Sequence, residues 1–82
     1  MQTYILLTCN PGYEKEIITH LKSMKEVTEI NGIWGKYDIF VKVSHGTPLG
    51  LDKMVEIFRN IENITSTYTL PVLFGQGGSI DD

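Results

Sequence analysis

Apolar residues along the chain fall into stretches whose period switches between two and about 3.6, the signatures of strand and helix. Thr3 to Cys9 (TYILLTC) is β-branched and aromatic and stops at the turn formers Asn10-Pro11-Gly12, which predicts a first strand. Its two alternating rows, Tyr4/Leu6/Thr8 and Ile5/Leu7/Cys9, are both largely apolar, so the strand is expected at the centre of a sheet. Tyr13, Ile17, Leu21 and Met24 then recur at helical spacing, with Asn10 as the expected cap and Pro11 in the first turn. Val27 to Trp34 (VTEINGIW) predicts a second strand, with Gly32 marking a bulge, and Gly35-Lys36 a tight hairpin turn. From Tyr37 onward Tyr37, Ile39, Val41 and Val43 form an apolar row opposite the mixed row Asp38, Phe40, Lys42 and Ser44. Thr47-Pro48 can start a second helix, whose stripe is Leu51, Met54, Val55, Phe58 and Ile61. Thr65 to Phe74 gives the last strand, and Pro71 places it at a sheet edge or on a bulge.

The order strand, helix, strand, strand, helix, strand predicts an α+β, ferredoxin-like βαββαβ sandwich: a four-stranded antiparallel sheet with both helices on one face. The other face then carries Phe40 and the second apolar rows of the first and fourth strands, an uncovered surface that points to dimerisation through the sheet. Residues 1–75 form the expected domain and residues 76–82 a flexible C-terminal tail, since Gly75 to Asp82 is glycine-rich and acidic.

Composition narrows the chemistry. A chain of 82 residues is one small domain that gains from self-association. With a net charge of -3 and seven scattered basic residues, no stripe is available to neutralise phosphates, so direct nucleic-acid binding is not expected. No apolar run approaches the roughly 20 residues of a membrane span, and no signal peptide opens the chain, which favours the cytoplasm. The single cysteine, Cys9, reads as a small buried hydrophobe. Cys9, His20 and His45 fall on different elements without ligand spacing, so neither a metal nor a cofactor is expected. His20 and His45 read as solvated. The most informative polar residue is Asp38, a carboxylate at the head of a central strand, where it needs a cation or a donor to meet it.

Two motifs carry a resemblance. Gly35-Lys36-Tyr37-Asp38-Ile39-Phe40-Val41-Lys42-Val43 and Thr67-Tyr68-Thr69, in register with the elements above, resemble the ligand-sensing (RAM) domain of the Lrp/AsnC transcription regulators, over nearly the whole chain up to Phe74. That family has a Gly-x-Tyr/Phe-Asp step leading into an apolar strand that ends in a basic residue and Val, and a Thr-x-Thr in its last strand. The resemblance implies an amino-acid ligand, sheet-to-sheet dimers assembled into octamers or decamers, and a pocket between dimers. By carry-over, Trp34 and Gly35 border that pocket together with Tyr37, Asp38 meets the ligand's ammonium, and Thr67 and Thr69 offer hydroxyls. Where the family usually has a small polar residue before the glycine, this chain has Trp34. The regulators also carry an N-terminal helix-turn-helix domain, so the chain resembles a stand-alone effector sensor, one that can modulate a full-length regulator by co-assembly.

Two other readings compete. One is a ligand-free oligomerisation module, in which Asp38 pairs with Lys36 or Lys42. The other is a small ferredoxin-like enzyme, such as a cofactor-free monooxygenase, since one fold hosts many functions. No catalytic residue is assigned, because neither histidine has an acid at informative spacing and the loop after the first strand has no arginine.

Overall fold

A computed structural model describes residues 1–80. It contains β1 (Gln2–Cys9), α1 (Glu14–Lys22), β2 (Val27–Gly32), β3 (Ile39–Ser44), α2 (Pro48–Arg59) and β4 (Ile64–Pro71). The strands form one sheet in the order β2-β3-β1-β4, antiparallel throughout, which is the ferredoxin-like α+β fold. As expected, β1 and β3 are central and β4 is an edge that ends on Pro71, where a missing amide hydrogen costs least.

The pleat sorts the side chains. Thr3, Ile5 and Leu7 of β1 pair with Val43, Val41 and Ile39 of β3, and all six are buried, as is Cys9 at the end of β1. The apolar ones make one core with Ile17 and Leu21 of α1 and Met54, Val55 and Phe58 of α2, so both helices cover this face. Each such side chain, fully buried, contributes about 1.5–3 kcal/mol. The opposite face carries Tyr4, Leu6 and Phe40, half-buried, and the exposed Tyr68 and Leu70. Tyr4 and Phe40 pack with ring centroids 5.3 Å apart.

Several local expectations are corrected. Asn10 does not cap α1: Tyr13 stands at the cap without a side-chain bond, and Asn10 Nδ2 instead donates to Asn63 Oδ1 at 3.1 Å, tying the end of β1 to the turn before β4. Met24 lies beyond the helix, whose C-cap is Ser23, yet still packs on the core. Sheet irregularities fall between Val27 and Glu29 and between Thr8 and Cys9; Gly32 simply ends β2 opposite Ile39. The β2–β3 connection is residues 33–38 and not a tight turn, although Gly35 does need a glycine, at φ +111°. Thr47 caps α2 as expected, its hydroxyl accepting from Gly50 N at 3.0 Å. His45 is buried, not solvated. Its Nδ1–H donates to the Thr47 carbonyl at 3.1 Å, which leaves Nε2 to accept from the Thr3 hydroxyl at 2.8 Å. Of the proposed tail, Gly75 to Ile80 is exposed and outside helix or strand, and Asp81 and Asp82 lie outside the described residues.

Candidate functional site

The expected site residues fall into three places. Trp34, fully exposed, and Gly35, around which a Cβ would meet nothing within 4 Å, stand at the tip of the 33–38 loop. At the base of that loop Asp38 is anchored on β1. Its amide donates to Leu7 O at 2.9 Å, and its carboxylate Oδ2 accepts from Cys9 N at 2.9 Å. No buried side-chain polar atom lacks a partner among the described residues, and Asp38 itself is half-buried. Cys9 is the core residue that this contact touches. Burial pushes its thiol pKa up, the charges of Asp38 and Glu14 push it further, and so does hydrogen bonding of the thiol itself to the Asp38 carboxylate.

Tyr37 does not extend the row of Ile39, Val41 and Val43. The chain leaves the ladder before Ile39, and Tyr37 instead stacks on Tyr68, with centroids 6.0 Å apart and planes 9° from parallel. Tyr68 pairs with Leu6, so this stack belongs to the face away from the helices.

Thr67 and Thr69 lie on the helix side, paired with Leu7 and Ile5. Because Leu7 pairs with Ile39 on one side and Thr67 on the other, Asp38 and Thr67 stand about two strand spacings, roughly 10 Å, apart. One chain therefore does not bring the carboxylate and the threonines onto a single ammonium group.

The threonines have a different neighbour, Arg59 of α2, whose Nε donates to Thr67 Oγ1 at 3.2 Å. Arg59 lines two adjoining grooves. The smaller, about 280 Å³, is completed by Ile64, Thr65, Ser66 and Thr67. The larger, about 550 Å³, is completed by Leu51, Asp52, Val55, Glu56 and Thr69. At the head of the smaller one, the Thr8 hydroxyl bonds those of Thr65, at 2.7 Å, and Ser66. Another groove of about 550 Å³ lies between the helices, with the apolar Ile17, Ile57 and Ile61 beside Glu16, Glu62 and His20. Among the described residues no three His, Cys, Asp or Glu side chains are grouped to hold a metal.

Sequence reasoning missed Arg59, Glu56 and Asp52 as site candidates, treating them as the polar side of a helix. Their spacing of three and four puts them on one helical face, but which strand that face meets is decided by the β1–β4 pairing.

Among curated proteins no sequence match was found. Solved structures are more informative. FFRP-DM1 is 33% identical over 88% of this chain and 97% of its own, with a TM-score of 0.84. E. coli AsnC is 27% identical with a TM-score of 0.86, and this chain, 98% covered, spans 55% of it. A transcriptional regulator from Neisseria meningitidis, solved as a complex with L-Met, shares the fold alone at 12% identity and a TM-score of 0.82, over 95% of this chain and 53% of that one. The family described as Lrp/AsnC ligand binding domain matches residues 2–74, and with the β2-β3-β1-β4 sheet and these neighbours the chain belongs to that family.

Proposed function

We propose that this domain senses an amino acid and works as an oligomer, with its ligand held between copies. The observation that carries this reading is the split site. The tip of the 33–38 loop, with Trp34 and Gly35, is fully open, and Asp38 at its base is half-buried. Thr67 and Thr69 lie across β1 beside Arg59. A loop from one copy set against the threonine side of another assembles a cation acceptor, hydroxyl donors and a guanidinium around one dipolar ligand. The complex of the Neisseria regulator with L-Met supports the ligand class.

The aromatic face of Tyr4, Leu6, Phe40 and Tyr68 supports sheet-to-sheet dimers, which pack onward into an octamer or decamer. Binding, not catalysis, is the reading, and co-assembly with a full-length regulator is the route by which ligand occupancy reaches DNA. A net charge of -3 supports a domain that does not itself hold the operator. No described helix is long and apolar enough to cross a membrane.

A thermal-shift screen of the common amino acids tests the reading. A ligand at about 100 times its Kd stabilises by about 2.7 kcal/mol, and a domain of this size gains about 4–8 °C per kcal/mol. At least one amino acid is expected to raise Tm by about 10 °C or more. A screen in which none moves Tm contradicts the sensor and favours the oligomerisation module.

A further inference from the structure

We propose that Tyr68 is a positioning residue for the ligand site: its ring, stacked on Tyr37, holds the 33–38 loop against the sheet, so that the loop meets the ligand already ordered. The inference rests on the reading of the domain as an amino-acid sensor and names a residue that acts on that site without touching the ligand.

Each half of the split site is one residue away from the stack. Tyr37 precedes Asp38, and Tyr68 stands between Thr67 and Thr69. Alternation along β4 sends the two threonine side chains to the helix side and the Tyr68 ring to the open face, where its residue pairs with Leu6. A ligand beside the threonines and Arg59 therefore lies across the sheet from the ring. Any effect of Tyr68 on binding passes through Tyr37.

The loop is held at Tyr37. Its two ends are closed by Ile33 N–H, which donates to the Asp38 carbonyl, and by Asp38 N–H, which donates to the Leu7 carbonyl, both at 2.9 Å. Between those anchors Trp34, Gly35 and Lys36 are exposed, and Tyr37 is half-buried. With centroids 6.0 Å apart and planes 9° from parallel, the two rings are within the range of a favourable aromatic pair. Tyr68 belongs to a strand paired along β1 from Thr3 to Cys9, so the loop leans on a rigid element. A loop ordered beforehand spares the ligand the cost of ordering it.

Two variants separate the ring from the rest of the side chain. Tyr68→Phe keeps the stack, and Tyr68→Ile keeps an apolar, β-branched residue on the open face without a ring. Both are compared with the wild type at a protein concentration raised until sedimentation shows all three equally assembled. Amide nitrogen relaxation is expected to give Gly35, Lys36 and Tyr37 order parameters of about 0.85 in the wild type and Tyr68→Phe, and below about 0.6 in Tyr68→Ile. The common L-amino acids are then screened by thermal shift against all three proteins. An amino acid that raises the wild-type Tm is expected to do so equally in Tyr68→Phe and by about 2–11 °C less in Tyr68→Ile, the reading of an about two- to tenfold loss of affinity. A ring that only stabilised β4 would lower Tm in the absence of amino acid and leave the ligand-induced shift unchanged. Order parameters that stay high in Tyr68→Ile, or a loosened loop with an undiminished ligand-induced shift, overturn the positioning role and leave an amino-acid sensor standing. A screen in which no amino acid moves the wild-type Tm overturns the sensor reading, and the positioning role with it.

Discussion

Replacing Asp38 separates its structural role from its role toward a ligand. Oδ2 accepts the Cys9 amide at 2.9 Å, at the point where β1 ends and the loop before β3 begins. In Asp38→Ala that partly buried amide loses its acceptor, a cost of about 1–3 kcal/mol. For a domain of 60–100 residues this lowers Tm by about 4–24 °C. Asp38→Asn keeps an acceptor and loses the charge, so the expected cost is about 1 kcal/mol, or about 4–8 °C. Burial is the larger cause of the raised Cys9 thiol pKa and the Asp38 charge adds to it, so the same substitution removes part of the shift, and Cys9 is expected to react faster with a disulfide reagent at a fixed mildly alkaline pH. The second Asp38 oxygen gives a separate readout. If it meets the ligand's ammonium across the copy interface, Asp38→Asn weakens amino-acid binding by about one order of magnitude or more, measured by titration on the folded fraction. Differential scanning calorimetry and titration of the three proteins decide the matter. An Asp38→Ala variant that melts with the wild type refutes the clamp, and equal dissociation constants remove Asp38 from the binding site.

The Cys9 thiol also predicts a pH dependence. Its pKa is raised in the folded state, so the native protein holds the proton more tightly than the unfolded chain. The associated stability is complete below the ordinary thiol pKa, roughly 8.5, and is lost as pH rises through the folded value. Urea midpoints measured from pH 7 to 10 should fall more steeply for the wild type than for Cys9→Ala, and parallel curves contradict the assignment. On the open sheet face, Phe40→Asp places a charge beside Tyr4 and is expected to shift the protein toward monomer by analytical ultracentrifugation while preserving its circular dichroism. An unchanged sedimentation coefficient moves the dimer interface elsewhere.

The order of elements was legible because burial follows period. Ile39, Val41 and Phe58 are placed in the core by alternation or helical spacing alone, and all are fully buried; the first strand, apolar in both rows, leaves its core row, Ile5 and Leu7, to the structure. What sequence could not give was contact between distant segments. His45 is hidden by Thr3, 42 positions away, and Asn10 is drawn off its expected cap by Asn63. Tyr37 shares parity with Ile39, but parity holds only inside a ladder, and the chain has already left it. The motif around Asp38 was readable because it is local. Its bond to Cys9, and the separation of Asp38 from Thr67 by the width of β1, emerge only once the strands are ordered.

A crystal structure of the assembled protein grown with the best amino acid from the screen tests the central claim most directly. The account predicts one ligand per chain between copies, its dipolar head near Thr67, Thr69 and Arg59 and within reach of the loop that carries Trp34, Gly35 and Asp38. Ligand bound away from all of these residues, or a sheet face left unpaired in the assembly, contradicts it.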